Sequence, residues 1–589
     1  MEGDVKVRRN VDPVVTEIVR NGVMAVTEEM KTNLMRTAYN TIIYEALDFT
    51  TGLFTPDGRT VSIGLGLPTF IRGMAETIKA KREHFGDDIE PGDILITNDS
   101  YITGSHLNHV TLSLPIFHQG ELVGWSCCMA HWLDIGGVLG GMTTDIFSEG
   151  LQIPILKLQR AGKINQNLVD IIRMNVRVQE RANGDLRAQL TAVKTGERRF
   201  LELVGRYGKE QVRDAIEEIM DISERAARAR TASIPDGVYE AESFMDDDGI
   251  TIGKDVPIKV KVIVKGDQMT IDLSDVSNQV RGFYNSGRTT AYGCSQVAYK
   301  CIASPTDYPV NEGSFRSLEV IIPPGKVISA VRPAPMRWWM TFPMTVIDTV
   351  IKALAPAIPQ RVAAAHHADL ILASMNGIAN GKFIYAGISH VGGGWGAKYN
   401  EDGVNCTIAM NDGDTHNGPI EMTEVKSPLI VSSYELVSDS GGPGKFRGGV
   451  GAQRVVSPRV PLNLTTHMDR TRCAPWGLEG GLAGYPNKVS LEIDGVLNDK
   501  LPNAKVMYRP IKPSDKLIAR GGGGGGFGPP IERPVEKVRE DVYQGYVSVG
   551  AAKEFYGVVI DPESFKVDAA ATEALRAQMK KGGSHAHAS

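Results

Sequence analysis

The spacing of apolar residues predicts a long helix at the start of the chain. Asp12 provides an N-cap acceptor, and Pro13 follows at the first helical position. Apolar residues then recur at helical spacing as far as Leu34, so we predict a helix that ends near Tyr39. A second helix is predicted from Pro68 to about Phe85.

Short apolar runs predict strands between and after these helices. The first clear examples are 93–97 and 122–129, each of which leads into a polar loop. Residues 165–231 have a mainly helical pattern. Beyond about residue 232 the pattern changes again, with predicted strands within 237–275, predicted helices at 288–304 and 343–356, and β-rich, glycine-rich stretches at 417–500 and 515–560.

This order of elements predicts a multidomain protein of the mixed α/β (α+β) class. A length of 589 residues is enough for two to four domains. An N-terminal α/β domain with a metal site is expected to precede β-rich, glycine-rich domains. The predicted divisions are an N-terminal α/β domain with a helical segment (11–231), a middle mixed β/α domain (232–415), a glycine-rich β domain (416–561) and a partly disordered tail (562–589).

Composition narrows the class of function. The chain is 42% hydrophobic and 23% charged, with a net charge of −5 and interspersed signs. We therefore expect neither a nucleic-acid nor a membrane partner. Residues 1–6 lack the apolar segment of a secretory signal, and the six cysteines form no CxxC pair, so we expect a cytoplasmic protein. The histidines at 585 and 587, in the tail, are not expected to be ligands.

Two loops carry the candidate chemistry. The first contains Asp99 and His106, and the second contains His131 and Asp134. Imidazoles and carboxylates together form a ligand set that suits Mn, Fe or Zn. The alternative is that these histidines only cap loops or bind backbone carbonyl groups.

Three glycine runs, at 392–396, 440–449 and 521–526, do not predict a nucleotide site. Lys445 is followed by Phe446 and lacks the upstream glycine of a phosphate-binding loop, and the last run leads into prolines and not into a helix. We interpret the runs as tight turns between packed strands. The alternative is that their N–H groups approach a substrate or a partner subunit.

Seven motifs occur in order along the chain and together resemble one family. The chain resembles the B-type subunit of the hydantoinase/oxoprolinase family, which includes 5-oxoprolinase and the acetone and acetophenone carboxylases. The resemblance extends from about residue 11 to 560. Its motifs are Leu47-Asp48-Phe49, Asn98-Asp99-x-Tyr101 with Gly104-x-His106-Leu107, Ala130-His131-x-x-Asp134-Ile-Gly-Gly137, Glu149-Gly150, Gly184-Asp185-Leu186-Arg187-Ala-Gln189, Asp439 to Gly449, and Gly521 to Gly528.

The resemblance implies a subunit of a heteromeric, ATP-dependent enzyme. An A-type partner with a sugar-kinase/actin-like fold would use ATP to phosphorylate a small carbonyl substrate, and a small third subunit is an option. The B-type chain would bind a divalent metal (Mn, Zn or Fe). The implied ligands are His106, His131, Asp134 and Asp48, with Asp99 as a ligand or supporting residue. Asp48 and Asp99 are also the implied catalytic carboxylates.

One position departs from the family pattern. Hydantoinase-type chains usually have aspartate three residues after the first histidine, whereas this chain has His109. An imidazole there removes one negative charge from the site. This difference tilts the comparison towards the ketone-carboxylating branch without deciding it.

Three functions remain open at this point. In the first, the chain is a cyclic-amide hydrolase that opens a hydantoin or oxoproline ring after its carbonyl is phosphorylated. In the second, it joins CO₂ to an enolate, with Trp338, Trp339, Phe342 and Trp395 as an aromatic pocket. In the third, it is a structural paralogue without a site. His390 is a further candidate that would reach the site from the second domain.

Overall fold

The structure is a computed structural model that describes residues 11–303, 309–379, 381–388, 390–413 and 415–581. The expectations for residues 1–6 and for the histidines at 585 and 587 concern positions outside these ranges. Within the described ranges, no helix has the length and apolarity needed to cross a membrane.

The first region is built on a seven-stranded sheet flanked by helices. Its elements are α1 (Pro13–Thr37), α2 (Thr41–Tyr44), β1 (Phe49–Phe54), β2 (Thr60–Leu65), α3 (Gly73–Phe85), β3 (Ile94–Thr97), α4 (Ser100–Thr103), β4 (His109–His118), β5 (Glu121–His131), β6 (Leu156–Arg160), β7 (Lys163–Ile164), α5 (Gln166–Asn175), α6 (Gln179–Tyr207) and α7 (Lys209–Thr231). The strand order is β2-β1-β5-β4-β3-β6-β7, and every neighbouring pair is antiparallel.

Helix α1 forms as its sequence predicts. The Asp12 carboxylate accepts a hydrogen bond from Val14 N at 2.8 Å, and the buried side chains of the helix follow its 3.6-residue period. Helix α1 packs against α6 and α7, and α6 packs on β4 and β5. The predicted second helix is interrupted, because a 3₁₀ turn at Pro68–Phe70 precedes α3.

The second region is a smaller sheet covered by two helices. Its elements are β8 (Gly237–Met245), β9 (Val256–Lys265), β10 (Gln268–Asp272), α8 (Arg288–Ala303), β11 (Leu318–Ile321) and α9 (Thr341–Leu354). The strand order is β11-β10-β9-β8, with β10 and β11 parallel and the other pairs antiparallel. Buried and exposed residues alternate along β9, so one face is packed and the other meets solvent.

The third region contains two sheets and four helices. Its elements are β12 (Ala373–Ala379), β13 (Lys382–Ile388), α10 (Ile420–Lys426), β14 (Leu429–Leu436), β15 (Ala452–Pro458), β16 (Leu462–Thr466), β17 (Lys488–Ile493), β18 (Val496–Asn498), β19 (Arg509–Ile511), β20 (Lys516–Arg520), α11 (Val535–Tyr543), α12 (Val549–Tyr556) and α13 (Ala569–Lys581). The sheets are ordered β13-β12-β16-β19 and β14-β15-β20-β17-β18. Pairing of β12 with β16 joins residues on both sides of the predicted division at 415–416.

The prediction that 515–560 is β-rich is wrong for most of the second half of this stretch, which forms α11 and α12. These helices bury a small apolar cluster of their own, which includes Val538 and Tyr556. The mixed α/β (α+β), multidomain class is confirmed by the sheets and helices together.

The glycine runs form a buried bundle of closely packed segments, which corrects the alternative that their N–H groups approach a substrate or a partner subunit. Their N–H groups bind neighbouring backbone carbonyls: Gly524 N donates to Gly449 O at 2.9 Å, and Gly525 N donates to Ala365 O at 2.8 Å. A Cβ atom on Gly524 would lie 1.9 Å from Trp395 O. The segments are therefore too close for any side chain, and the N–H groups are used inside the protein.

Lys81 is a fully buried cation between α3 and the first sheet. Its ammonium group donates to Ser113 Oγ at 2.9 Å and to Thr111 Oγ1 at 3.2 Å, and it approaches the carbonyl oxygen of Leu95 at 3.4 Å. These partners are all neutral. Burial lowers the pKa of Lys81 to about 7.

We predict that Lys81→Met changes the pH dependence of stability. Below about pH 7 the lysine is charged in both states, so the folded protein carries the full penalty of the buried charge. Above that pH the folded state loses the proton while the unfolded state keeps it up to about pH 10.4, so wild-type stability rises with pH. Lys81→Met removes this titration, and its advantage over wild type should shrink by about 1.4 kcal/mol per pH unit.

Urea unfolding between about pH 7.5 and 9.5 measures this difference. Lys79→Met, on the exposed side of the same helix, is the matched control and should show no such slope. A pH-independent difference between Lys81→Met and wild type would show that the buried lysine does not titrate in this range.

Candidate metal and substrate site

Strand pairing brings the candidate residues together at one end of the first sheet. Ala130 pairs with Phe49 across β5 and β1, and His131 N donates to Asp48 O at 3.0 Å. On the other side of β5, His131 pairs directly with His109 at the start of β4. Adjacent antiparallel strands therefore place one carboxylate and two imidazoles side by side.

Three buried imidazoles form a compact cluster. The ring centroid of His106 lies 4.4 Å from that of His109 and 4.8 Å from that of His131, and the other pair is 5.2 Å apart. His106 Nε2, His109 Nδ1 and His131 Nδ1 are buried and have no hydrogen-bond partner among the described residues. Buried polar atoms of this kind are usually satisfied, so unpartnered nitrogens indicate a missing ligand.

Asp48 is held by His109. The Nε2 atom of His109 lies 2.8 Å from Asp48 Oδ1. Burial on its own would raise the pKa of Asp48, but the charge and hydrogen bond of His109, with smaller effects of His131 and His390, hold this pKa below its usual value. Asp48 is therefore an anion at neutral pH.

Two histidines of the cluster, His106 and His131, are neutral. Burial lowers the pKa of His131 to about 4, and burial together with the neighbouring imidazoles lowers that of His106 well below its usual value. Neutral imidazole is the form that binds a metal ion. The Nδ1 atom of His106 lies 3.1 Å from Arg337 O, which fixes the ring so that Nε2 is left free.

The predicted motif Gly184–Gln189 supports these side chains through hydrogen bonds. Asp185 accepts a hydrogen bond from Tyr39 N at 2.8 Å, and Asn40 Nδ2 donates to His131 O at 3.0 Å. Gln189 accepts from Trp132 Nε1 at 2.8 Å. The Gly184–Gln189 motif on α6 thus holds the segments on both sides of His131.

A cavity of about 520 Å³ opens in front of this cluster. Asp48, His106 and His131 line it, whereas His109 lies behind them and is fully buried. Segments from the second and third regions complete the wall. They contribute Arg337, Trp338, Met340, Leu370, Leu372, Phe383, Tyr385, His390, Asp412 and His467.

The structure does not bring Asp99 into the cavity. Its carboxylate caps α4 by accepting from Tyr101 N at 3.0 Å, and its other oxygen accepts from Arg332 Nη2 at 2.9 Å. Asp134 does line the cavity, but its carboxylate accepts from the backbone N and, at 2.6 Å, from the Nη1 of Arg177. The Asp134 carboxylate is thus paired with Arg177.

The side chains present fit a divalent ion by their chemistry. Asp48, His106 and His131 offer an anionic oxygen and two neutral nitrogens on one cavity wall. Over the described ranges, however, no three His, Cys, Asp or Glu side chains have the geometry of a formed metal site.

Aromatic side chains surround the cluster. Phe70 contacts the edge of His109 at 4.7 Å between centroids, and Trp339 lies 5.8 Å from the same ring. Of the four aromatic residues predicted for a substrate pocket, Trp338 lines the cavity, while Trp339 and Phe342 are buried and Trp395 Nε1 donates to Ile408 O. His390 reaches the cavity from the third region.

Several cavity residues have no local signal in the sequence. Arg337, Tyr385 and Asp412 come from segments far apart in the chain, and only the folded packing places them on one wall. His390 stands out in the sequence only because it precedes a glycine run. Glu149 belongs to a family motif, but its contacts with the 336–337 backbone follow from the fold alone.

The fold and the cavity define a multidomain α/β protein with a histidine-lined polar cavity, and comparison with known proteins identifies its family. The sequence model described as hydantoinase B/oxoprolinase matches residues 12–530. The chain belongs to the hydantoinase B/oxoprolinase family, which confirms the resemblance inferred from its motifs.

Similar proteins cover nearly the whole chain. It is 31% identical to the B-type chain of a putative D-/L-hydantoinase from Pseudomonas sp. (strain NS671), over 96% of this chain and 98% of that protein. It is 32% identical to the beta chain of the caprolactamase of Pseudomonas jessenii, over 96% and 99%. The crystal structure of the ATP-dependent caprolactamase from Pseudomonas jessenii superposes with a TM-score of 0.89, 30% identity and coverage of 97% and 100%.

The same fold occurs in a carboxylase. The nucleotide-free structure of acetone carboxylase has a TM-score of 0.87 at 19% identity, and covers 98% of this chain and 84% of that one. At this identity the likeness concerns the fold only. Proteins with this fold are thus named for both of the reaction classes that the sequence left open.

We predict that Gly66→Ala disturbs the position of Asp48. A Cβ atom at Gly66 would lie 2.1 Å from Leu47 O and 2.5 Å from Phe49 O, which flank Asp48 in the chain. The strand must shift, and we expect a loss of about 1–3 kcal/mol in the free energy of unfolding. Chemical denaturation measures this loss.

Gly205→Ala is the matched control, because nothing lies within 4 Å of the added methyl group in helix α6. It should stabilise the protein by about 0.5–1 kcal/mol. Equal stability changes for the two variants would contradict the close contact at Asp48.

Proposed function

We propose that this chain is the B-type subunit of a heteromeric, ATP-dependent amidohydrolase that opens a cyclic amide of the hydantoin, oxoproline or lactam type. An A-type partner with a sugar-kinase/actin-like fold would phosphorylate the carbonyl oxygen, and a small third subunit is compatible with this scheme. The observation that carries the proposal is the joint exposure of Asp48, His106 and His131 to one cavity. Relatives named as hydantoinase and caprolactamase subunits support the reaction class.

We propose Asp48, His106 and His131 as ligands of a divalent metal (Mn, Zn or Fe). Such an ion, when bound, supplies Lewis acidity and lowers the pKa of water. His109 acts from behind by donating its Nε2 hydrogen to Asp48 Oδ1, which orients the carboxylate. Asp134, held by Arg177, is better placed to shape the loop than to join this set, and Asp99 is better placed to support α4.

The remaining cavity wall suits a small amide ring. Leu370, Leu372 and Phe383 give apolar surface for the methylene groups of the ring. Asp48 Oδ2, the oxygen that His109 does not use, is placed to accept a proton from a water molecule that attacks the activated carbon.

Ketone carboxylation is the alternative, and His109 is the observation that favours it. This residue stands where hydantoinase-type chains usually have aspartate, and the structure places its ring within the imidazole cluster. In that reaction the same cavity would hold an enolate while CO₂ is added. The intact set of Asp48, His106 and His131 argues against a structural paralogue without a site.

We predict that the purified chain contains about one divalent metal ion and that His131→Ala loses it. The alanine removes one of three proposed ligands, so occupancy should fall by more than about tenfold. His109→Leu should weaken binding by about 10–100-fold, because Asp48 loses its orienting hydrogen bond. Elemental analysis by mass spectrometry and metal titration of the stripped protein measure both effects.

His118→Ala is the control, since this histidine lies at the opposite end of β4. Its metal content should equal that of wild type. A folded wild-type chain that neither contains nor takes up metal would overturn the ligand assignment.

We predict that the complex with the A-type partner hydrolyses ATP when a cyclic amide is present. Caprolactam, 5-oxoproline and a hydantoin should be compared with acetone and acetophenone, each with and without bicarbonate. Ring-opened product without bicarbonate supports the hydrolase, and Asp48→Asn should lower its formation by at least about 100-fold. Bicarbonate-dependent turnover of a ketone would overturn the hydrolase proposal in favour of the ketone carboxylase.

A further inference from the structure

Arg337 is a cavity cation without a matching anion. Its Nη2 atom donates to Leu139 O at 3.2 Å, whereas the buried Nη1 atom has no hydrogen-bond partner among the described residues. Within the same ranges, no carboxylate forms a salt bridge with its guanidinium group. Burial accordingly lowers the pKa of Arg337 below its usual value, and the charge of Glu149 offsets this only in part.

The backbone of Arg337 is firmly positioned beside the proposed metal ligands. Its N–H donates to Glu149 Oε1 at 3.0 Å, and Met336 N donates to Glu149 Oε2 at 2.9 Å. Thr143 Oγ1 donates to the same carboxylate at 2.6 Å. The carbonyl oxygen of Arg337 binds Nδ1 of His106, so this segment orients a proposed ligand and carries the guanidinium group.

A second arginine in the cavity wall, Arg177, differs from Arg337 in that its guanidinium group has an anionic partner. Arg177 uses its guanidinium group on Asp134 Oδ1 at 2.6 Å and on Gly137 O. Its charge is therefore already balanced. Arg337 also lines the cavity, but its Nη1 atom is buried without a hydrogen-bond partner among the described residues.

Burying a charged donor without a partner is unfavourable, so the fold tolerates Arg337 best if a ligand supplies the acceptor. The planar guanidinium group presents paired N–H donors that match phosphate and carboxylate oxygens. Glu149 and Asp134 line the same cavity and act on Arg337 by charge, but among the described residues neither forms a salt bridge with its guanidinium group. A neutral amide would leave the guanidinium group without a directly bound anion.

We propose that Arg337 is a specificity residue that binds an oxyanion of the substrate within the cavity. The inference rests on the proposed function, which supplies two sources for this oxyanion: the phosphoryl group that activates the amide, or a carboxylate that the substrate carries. In either case the cavity takes an anionic ligand, and an unactivated, uncharged lactam binds it poorly. Glu149 is a positioning residue that holds the Arg337 backbone.

Isothermal titration of the full-length chain with inorganic phosphate and, separately, with acetate at constant ionic strength tests this assignment. Wild type should bind at least one of the two anions, and Arg337→Met should weaken that binding by about tenfold or more. Arg337→Lys keeps the positive charge but lacks the paired N–H donors of the guanidinium group, so it should bind the anion with intermediate affinity. Loss of phosphate binding identifies a phosphoryl oxyanion as the ligand, and loss of acetate binding alone identifies a carboxylate.

Arg181→Gln is the charge-matched control, because Arg181 lines the same cavity but is exposed. It should bind both anions like wild type. Thermal unfolding shows whether Arg337→Met is folded, and if it is not, Arg337→Lys decides the question. Anion binding by a folded Arg337 variant within about twofold of wild type, or no binding by wild type, overturns the proposal.

Failure of this inference is separable from failure of the proposed function. Anion titration requires neither ATP nor the A-type partner. Arg337-dependent binding in a complex that turns over no cyclic amide would overturn the hydrolase and keep the oxyanion site. If the complex turns over the cyclic amide but anion binding does not depend on Arg337, the hydrolase stands and the oxyanion site is overturned.

Discussion

The polar site depends on the antiparallel pairing of three strands, β1, β5 and β4. A ladder fixes which residues stand opposite one another, so a shift of one residue would turn each of these side chains to the other face. The observed register pairs His131 with His109 and places Asp48 next to His131. The hydrogen bond between His109 and Asp48 then keeps a buried carboxylate charged beside the neutral imidazoles of His106 and His131. The polar side chains on this side of the cavity therefore depend on the strand pairing.

Much of the scaffold could be predicted from the sequence because local signals and tertiary packing agree there. Helix α1 has its cap, its proline and its apolar period, and the structure ends it at Thr37, two residues from the predicted end. Helices α8 and α9 largely cover the two stretches, 288–304 and 343–356, that the sequence predicts to be helical, although residue 304 is outside the described ranges. The β-rich prediction is wrong around α11 and α12 because these helices are short and lie close to glycine-rich sequence, which favours turns and strands.

The candidate site was only partly accessible from the sequence. Asp48, His106 and His131 stood out by residue type and motif, and they share the cavity wall. The contacts of Asp134 and Asp99 depend on Arg177 and Arg332, which are distant in sequence, and no spacing rule shows such pairs. Arg337 is similarly invisible in a single sequence, since its significance lies in the partner that it lacks.

The close packing of the glycine bundle limits which substitutions this chain tolerates. Its segments approach so closely that backbone carbonyls occupy the space of side chains, as at Gly524 and Gly448. Intolerance to substitution there would arise from volume alone, far from any reacting atom. A mutational scan of the protein would thus find two kinds of position that tolerate no substitution. A ranking by sensitivity alone would place the packing glycines beside Asp48, although their roles differ.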